Sequence, residues 1–456
     1  MAAPKSTRRT FARITGLETE YGCLLASPGL RAVAQVRDWM FEHQRHGLID
    51  RHDRGWDEPP GNGGFLYNGG RIYVDMGHIE YCTPECASAG DTVRYDRAGD
   101  RLLLAALRDL GLADQVSFFR NNIDHRSGAT FGCHENYSIS RTGPLNEPNL
   151  LSLLAFLTLR VLFTGSGRVG APPGPGEPSH AGEFQLSQRA DYIQNDFYEW
   201  VQHNRSIINT RDEPLADPRK YRRLHLIHGD TNVLPSALYL KVGATRLVLD
   251  LLEANDLPKL VLADAVGTLR NLSHQPEAPW VVPLADGQAG DAVAILGQFR
   301  ERALARFGGR DAETDAVLAL WARVEAGLSG DLTSLVGLVD WVTKHHLLEA
   351  FRTSEGLAWD DPWLEAQDLE YHHLDPARSL GLALANLDGP WAAALDDPAV
   401  LEQGPVDTRA GWRGRVLRGL AKTDRDYEID WDVVNLGEHG LIEMSDPFSR
   451  GEALPG

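Results

Sequence analysis

The segment 71–76, with the sequence RIYVDM, constrains the fold of this chain most strongly, because polar and apolar side chains alternate in it without a break. Successive side chains of a β-strand point to opposite faces of the sheet, so the alternation predicts a strand with one polar and one apolar face. Burial of the apolar face fixes the register of that strand. The two faces carry, respectively, Arg71, Tyr73 and Asp75, and Ile72, Val74 and Met76.

Similar alternation predicts further strands of an antiparallel or mixed sheet, and apolar side chains at three- and four-residue spacing predict helices elsewhere. The chain is therefore expected to have an α+β fold. The predicted strands are Ile14 to Leu24, Phe65 to Met76, Tyr137 to Ser140 and Leu441 to Met444. The predicted helices are Ala32 to His46, Thr92 to Leu110, Asn149 to Thr164, Asp291 to Arg306, Asp311 to Leu328 and Ser334 to Thr353.

A change in composition around residues 386–405, where Asp, Gly and Pro are frequent, predicts a domain boundary. We expect a large domain over residues 1–388 and a small C-terminal domain over residues 389–456. The Pro- and Gly-rich stretch from Ala171 to Glu183 is predicted to be an exposed loop.

Charge and composition exclude several classes of function. The chain has 45 Lys and Arg against 64 Asp and Glu, and its net charge of -19 would repel a nucleic acid backbone, so nucleic acid is excluded as the main partner. The most apolar run, Leu150 to Phe163, is shorter than the ~20 residues of a membrane span and contains Arg160, so we expect a buried helix there. The cysteines lack C-x-x-C spacing and the N-terminus lacks an apolar stretch, which favours a cytoplasmic protein.

Glu18 and Glu20 lie two positions apart in the segment GLETEYG at 16–22, so a strand would place both carboxylates on one face. Neighbouring like charges destabilise a strand unless a cation lies between them, and Mg²⁺ prefers oxygen ligands of this kind. The alternative is a solvated strand face on which Lys or Arg side chains pair with the two glutamates.

The polar face of segment 71–76 suits an anionic substrate, because it presents a guanidinium, a phenol and a carboxylate in a row. His78, Glu80 and Glu85 follow closely and add an imidazole and two further carboxylates. The alternative is an exposed edge strand in which Arg71 simply pairs with Asp75.

Polar residues are concentrated again between Gln188 and Asn232, where Arg211, His225 and Asn232 are candidates for substrate binding. Arginines, histidines and amides beside Gly and Pro turns suit the binding of phosphates or of an acidic peptide. Surface salt bridges explain the same composition equally well. His134 and Glu135 lack the second histidine of an H-E-x-x-H motif, which argues against a zinc protease of that type.

Taken in order along the chain, these segments resemble the Pup ligase and deamidase of Pup (Dop, depupylase) family, which belongs to the glutamine-synthetase-like carboxylate-amine ligases. The resemblance is collinear over nearly the whole chain. It is carried by GLETEYG at 16–22, NGGRIYVD at 68–75, EYCTPEC at 80–86, RNNID at 120–124, GCHENY at 132–137, FQLSQRADYI at 184–193, IINTRDEP at 207–214, YRRLH at 221–225 and DW at 430–431.

The resemblance implies a glutamine-synthetase-like fold, in which helices pack against a mostly antiparallel, curved sheet and a small C-terminal domain follows. It also implies that the cofactors are ATP and Mg²⁺, and that the partners are the prokaryotic ubiquitin-like protein Pup and pupylated proteins. Carried over position by position, it assigns Glu18, Tyr73 and Glu80 to Mg²⁺, Arg71, Thr83 and Trp431 to ATP, and Asp75 to catalysis.

The family contains two activities, and the motifs divide between them. Four features resemble the deamidase/depupylase: GSGRVG at 165–170, FQLSQRADYI, the five-residue step from Asp75 to Glu80, and LLEAFRTSEGLAW at 347–359. GLETEYG, GCHENY and the short stretch from Cys23 to Tyr67 resemble the ligase instead. Leu215 departs from both, since each usually has histidine at this position.

We interpret the chain as an ATP- and Mg²⁺-dependent enzyme that hydrolyses the C-terminal glutamine amide of Pup or the isopeptide bond between Pup and lysine. The first alternative is a ligase that joins the C-terminal glutamate of Pup to substrate lysines through a glutamyl phosphate. The second is a divergent relative that acts as a small-molecule carboxylate-amine ligase or as a nucleotide-binding module.

Overall fold

A computed structural model describes residues 13–27, 29–54, 58–125, 127–170, 182–200, 203–392, 395 and 397–452 of the chain. Most of the predicted loop from Ala171 to Glu183 lies outside the described residues. The fold is α+β, as predicted, and a large, mostly antiparallel sheet forms its centre.

The central sheet has ten strands, in the order β10-β11-β12-β7-β1-β5-β4-β3-β2, with β6 paired to the far end of β1. Neighbouring strands are antiparallel except for the parallel pair β10 and β11. The strands are β1 Thr15–Leu25, β2 Gly47–Ile49, β3 Gly63–Leu66, β4 Arg71–Asp75, β5 His78–Cys82, β6 Val116–Phe119, β7 Cys133–Ser140, β10 Asn195–Tyr198, β11 Ser206–Asn209 and β12 Tyr221–Leu226.

Three small antiparallel sheets accompany the central one. They are formed by β8 Arg168–Val169 with β9 Phe184–Gln185, by β13 Val281–Pro283 with β14 Ala289–Asp291, and by β15 Glu428–Ile429, β16 Val433–Asn435 and β17 Leu441–Glu443.

Helices cover the sheet and supply most of the apolar core. They are α1 Ala32–Phe41, α2 Ala89–Asp109, α3 Glu147–Leu159, α4 Val161–Thr164, α5 Pro235–Glu253, α6 Ala265–Ser273, α7 Ala292–Phe307, α8 Ala312–Ser329, α9 Asp340–Glu355, α10 Pro362–Tyr371, α11 Leu380–Ala383 and α12 Arg409–Leu420. Helix α5 lies at the centre of this layer, and all of its residues except Arg246 and Glu253 are buried.

The predicted strand from Phe65 to Met76 is two strands, because a turn over residues 67–70 folds β3 back on β4. Gly69 has φ +84° and its amide donates to Leu66 O, a left-handed conformation that glycine adopts without strain. Met76 is not on the apolar face of β4. It lies in the two-residue turn between β4 and β5, with φ +44°, and is exposed.

Two predicted helices differ from the observed ones at their ends. The helix predicted from Ala32 ends at Phe41, because His43 in the following 3-10 turn has φ +53°. The helix predicted from Ser334 begins at Asp340, after a separate 3-10 turn, Leu332–Leu335.

The apolar run predicted as a buried helix forms α3 and α4. Of the described residues, Glu147–Thr164 alone has the length and composition of a membrane span, and 72% of it is buried inside the fold. Arg160 lies between the two helices, fully buried, and pairs with Glu135 of β7 at 2.6 Å. Burial of this kind is typical of a core helix.

The C-terminal residues share an apolar cluster with one end of the central sheet. Val416 and Leu417 of α12 pack with Val434 of β16 and with Leu48 and Phe65 of β2 and β3. Residues on the two sides of the predicted boundary at residue 388 therefore pack in one apolar cluster.

Candidate active site

Strand pairing gathers the predicted site residues on one face of the central sheet. Glu80 lies opposite Glu20 on one side and opposite Tyr73 on the other, while Glu18 lies opposite His134. Directly opposed residues of antiparallel strands share a face. The face therefore combines residues that are distant in sequence, and β1 lies in the middle of the site.

The first cluster on this face consists of Glu20, Asp75 and Glu80, whose carboxylate oxygens lie within 4.8 Å of one another. Burial, followed by the charge of Glu20, raises the pKa of Glu80 well above its ordinary value. The same two causes raise the pKa of Asp75 to about 6. Three carboxylates this close repel one another, and a divalent cation with oxygen ligands would remove that repulsion.

The second cluster consists of Glu18, His134 and His225, again within 4.8 Å. His134 Nδ1 lies 3.0 Å from Glu18 Oε2, and Arg223 Nη2 lies 3.2 Å from Glu18 Oε1. Burial raises the pKa of Glu18, but the His134 hydrogen bond and the charge of Arg223 outweigh it and lower that pKa. His225 is buried, and neither ring nitrogen has a hydrogen-bond partner among the described residues.

A glycine keeps open the space between the two clusters. A Cβ atom at Gly132 would lie 2.5 Å from His134 Nε2 and 2.6 Å from Glu20 Oε1. The space beside Gly132, the clustered carboxylates and the imidazole nitrogens of His225, which have no hydrogen-bond partner among the described residues, fit bound cations. Glu18, Tyr73 and Glu80, predicted as magnesium ligands, lie on this face, and Glu20 belongs with them.

Arg71 and Trp431 are brought together, as expected of residues that share a ligand. The Arg71 guanidinium lies 5.8 Å from the centroid of the Phe65 ring, and the Trp431 ring packs edge-on against Phe65 at 5.0 Å. Thr83 adjoins β1, where its Oγ1 accepts a hydrogen bond from Leu17 N. Trp431 thus carries the C-terminal segment to the end of the site that Arg71 occupies.

The candidates for substrate binding separate in the structure. His225 lies in the site, and Arg211 is exposed nearby, close enough for its charge to contribute to the low pKa of His225 after burial and Arg223. Asn232 is not brought to the site. Its side chain is buried, and its Nδ2 donates to Thr164 O and Asp340 Oδ2.

Glu85, grouped with Glu80 by its position in the sequence, also lies elsewhere. Its carboxylate is buried against Arg409 and Arg413 of α12, and after the opposing effect of burial these two charges lower its pKa to about 2. His78 stays near the site and stacks on Phe131 at 4.5 Å.

Two arginines outside the predicted site residues, Arg189, which is buried, and Arg205, which is half-buried, add positive charge to one side of the site. Arg189 donates to Ile227 O, and burial followed by the charge of Arg205 lowers its pKa to about 10. Glu20 acts in the opposite direction on the pKa of both arginines. His134 was also missed as a site residue, although its position next to the alternating segment of β7 was a usable signal.

The fold and the clustered carboxylates on its sheet define the class: the chain has a glutamine-synthetase-like fold. Residues 13–435 match the sequence profile of the Pup-ligase protein family. The chain belongs to this family.

Curated relatives carry both activities. A Pup deamidase/depupylase of Mycolicibacterium smegmatis is 39% identical over 388 residues, which are 83% of this chain and 76% of the relative. A Pup--protein ligase of Xylanimonas cellulosilytica is 36% identical over 460 residues, 96% of each chain. The chain is also similar to a crystal structure of a complex between Pup and its ligase PafA, with a TM-score of 0.81, 32% identity and coverage of 97% of this chain and 89% of PafA.

A second solved structure, PafA in complex with ADP, has a TM-score of 0.76 and 31% identity and covers 99% of this chain and 97% of the other. These relatives place the chain among the enzymes of the Pup pathway. They fit the deamidase and the ligase equally.

Proposed function

We propose that this chain is an ATP- and Mg²⁺-dependent Pup deamidase/depupylase of the cytoplasm. The observation that carries the proposal is the position of Asp75, a half-buried carboxylate at the end of β4, next to Glu20 and Glu80 and on the same strand as Arg71. A carboxylate that can accept a proton, placed beside a cation site, suits the activation of water for attack on an amide carbonyl.

In this proposal the unit 1–388 provides the sheet, and the C-terminal unit 389–456 contributes Trp431. Glu18, Tyr73 and Glu80, together with Glu20, would hold Mg²⁺, and Arg71, Thr83 and Trp431 would contact ATP. When bound, Mg²⁺ would supply the positive charge that polarises the substrate carbonyl and offsets the charge of the nucleotide phosphates. Similarity to a relative solved in complex with ADP supports nucleotide binding by this chain.

Asp75 would act as the base of the hydrolysis. It accepts a proton from a water molecule whose oxygen bonds to the side-chain carbonyl carbon of the terminal glutamine or glutamyl residue. The C–N bond then breaks, and the nitrogen takes a proton and leaves as ammonia or as the amine of the released lysine. The pKa of about 6 suits a group that must be ionised near neutral pH and still accept a proton.

Pup or pupylated protein is the proposed substrate, because solved and curated relatives are named for it. The buried Arg189, the half-buried Arg205 and the exposed Arg211 would attract the acidic end of such a partner. Positive charge at one side of the site orients an anionic chain toward Asp75.

The ligase is a second candidate, favoured by a specific observation. The ligase relative aligns over 96% of its own length, whereas the Mycolicibacterium smegmatis depupylase aligns over 76% of its own length. In that case the same face would join the terminal carboxylate of Pup to a lysine amine, with conversion of ATP to ADP and phosphate.

One experiment separates the two. Purified chain with ATP and Mg²⁺ is given Pup ending in glutamine, and separately Pup ending in glutamate with a lysine-bearing target. The proposal expects conversion of the glutamine amide to carboxyl by mass spectrometry and no conjugate. Conjugate without deamidation would assign the chain to the ligases, and neither product would contradict both.

A further inference from the structure

Trp431, the residue proposed to contact the nucleotide from the C-terminal segment, is held at both of its backbone polar atoms. Its amide donates to Asp430 Oδ1 at 2.8 Å, and its carbonyl accepts from Arg413 Nη1 at 2.7 Å. The Arg413 guanidinium also lies 4.9 Å from the centroid of the Trp431 ring. The orientation of this indole therefore depends on two charged neighbours.

One of these neighbours belongs to a continuous row of alternating charges that begins at Arg71. Arg71 Nε donates to Asp50 Oδ2 at 2.9 Å, and Arg54 Nη1 donates to Asp50 Oδ1 at 2.9 Å. Arg54 Nη2 then donates to Asp430 Oδ1 at 2.7 Å. We call Arg71, Asp50, Arg54 and Asp430 the ion chain.

The ion chain connects two parts of the protein that are far apart in sequence. Asp50 directly follows β2, and its backbone is fixed to the sheet, since its amide donates to Gly63 O and its carbonyl accepts from Gly61 N. Asp430 directly precedes Trp431 in the C-terminal segment. Arg54 is the only member of the ion chain that bonds directly to both sides.

Burial strengthens the ion pairs of the ion chain. The side chains of Asp50, Arg54 and Asp430 are 2%, 15% and 16% exposed, so water screens these pairs weakly. Removing one member of a buried row leaves its neighbours with an uncompensated charge and frees them to move. Asp50 itself is too deeply buried to touch a ligand, and it acts through Arg71.

We infer that Asp50 and Arg54 are positioning residues of the nucleotide site, which hold Arg71 on the sheet and Trp431 on the C-terminal segment at a fixed separation. The inference depends on the proposed function, because it takes Arg71 and Trp431 as nucleotide contacts. Breaking the ion chain lowers nucleotide affinity without removing any group that touches the nucleotide.

Glu58 provides a matched control, because its carboxylate contacts the Arg71 guanidinium and lies 3.9 Å from Arg54 Nε but has no contact with Asp430 among the described ion pairs. Its removal takes a negative charge from Arg71 as Asp50→Asn does, but it leaves the hydrogen bonds of the ion chain in place. Two carboxylates on one guanidinium thus have different roles, and a comparison of their variants distinguishes positioning from a general change in charge.

The test uses full-length protein, Mg²⁺ and the fluorescent nucleotide mant-ADP. Arg54→Met and Asp430→Asn are each expected to weaken mant-ADP binding by about tenfold. The double variant should bind no more weakly than the single variant with the lower affinity, because both substitutions break the same ion chain. Arg54→Lys is expected to restore part of the affinity, and Glu58→Gln to bind as wild type does. In turnover assays the KM for ATP rises while kcat is retained.

Chemical denaturation of each variant checks that the fold persists, and Asp430→Asn, with its partly exposed side chain, serves if Arg54→Met unfolds. Wild-type affinity for mant-ADP in both Arg54→Met and Asp430→Asn, or equal weakening by Glu58→Gln, overturns the inference and leaves the proposed function intact. Failure of the wild-type protein to bind mant-ADP with Mg²⁺ overturns both.

Discussion

Asp75 stands where β4 ends, beside two carboxylates and half-shielded from water, so its environment differs from that of a surface aspartate. If it serves as the base, Asp75→Asn keeps the shape of the side chain and removes the proton acceptor. We expect turnover of the Pup substrate to fall by about 10²–10⁴-fold, the usual contribution of a positioned base. Single-turnover assays measure the loss, and mant-ADP titration is expected to show retained nucleotide binding.

Asp38→Asn is the matched control, because that aspartate is exposed in α1 and, within the described part of the chain, its carboxylate pairs with its neighbour Arg37 alone. Near-wild-type turnover by Asp75→Asn would remove Asp75 from the mechanism. Equal, low ATP hydrolysis by both forms would favour the nucleotide-binding module considered above.

Gly132 gives a test of the cation site that does not remove a ligand. In Gly132→Ala the added methyl would have to displace His134 or Glu20, since a Cβ atom would lie 2.5 Å from His134 Nε2 and 2.6 Å from Glu20 Oε1, well inside van der Waals contact. We expect weaker activation by Mg²⁺, measured as a higher concentration for half-maximal activity. Gly90→Ala is the control, because its Cβ would meet Glu313 Oε1 at 3.6 Å and Ser88 Oγ at 4.0 Å, both ordinary van der Waals contacts.

At this scale the sequence predicted the groups that lie within one strand. Alternation placed Arg71, Tyr73 and Asp75 on one face, because side-chain direction in a strand is a local property. It did not predict that His134 and His225 meet Glu18, since that contact depends on which strands pair. Local pattern cannot specify pairing between segments separated by more than a hundred residues.

Besides its apolar contacts, helix α12 is bound to the sheet region through one buried carboxylate, Glu85. Arg409 Nε and Arg413 Nη2 both donate to it, and Arg413 also donates to Gly69 O. Glu85→Gln would leave two buried guanidinium groups without their counter-charge. We expect it to lower the free energy of unfolding by about 3–5 kcal/mol, measured by denaturant titration.

The same carboxylate makes a prediction about pH. Its pKa falls from 4.5 in the unfolded chain to about 2 in the fold. A lowered folded-state pKa stabilises fully above the unfolded pKa, and this stabilisation is lost as pH decreases from about 4.5 toward 2. Glu85→Gln should lack this part of the acid dependence, whereas Glu349→Gln, at an exposed pair with Arg352, should retain it.

Elements with one apolar face were predictable, and the long apolar run of α3 was predictable from its composition, but the buried helix α5 was not. Helix α5 was missed because nearly every residue in it is buried, so no amphipathic period marks it. Helix α8, with a solvent-facing side, was predicted within a residue at each end. The turn between β3 and β4 was missed because Tyr67 continues the apolar pattern of the strand before it.

At the scale of the whole molecule, the site exists only when the central sheet is assembled. Strand β1 pairs with β5 on one side and β7 on the other, and thereby joins the cluster of Glu20 to the cluster of Glu18. The C-terminal segment adds Trp431 at the end of the sheet where β2 and β3 lie. Fold class was predictable from the mixture of periods, but this strand order was not.

Because the proposed ligands come from separate parts of the chain, binding should stabilise the folded state as a whole. Mg²⁺ with ADP binds the assembled site and not the unfolded chain, so it should raise the free energy of unfolding by about 2.7 kcal/mol at about 100 times Kd. Differential scanning calorimetry should show a higher Tm with both ligands than with ADP and EDTA. Glu20→Gln and Glu80→Gln should lose the increment that depends on Mg²⁺, because each removes a charged oxygen ligand from the first cluster. An equal Tm for the wild-type protein in Mg²⁺ and in EDTA would mean that these carboxylates do not hold a cation with the nucleotide.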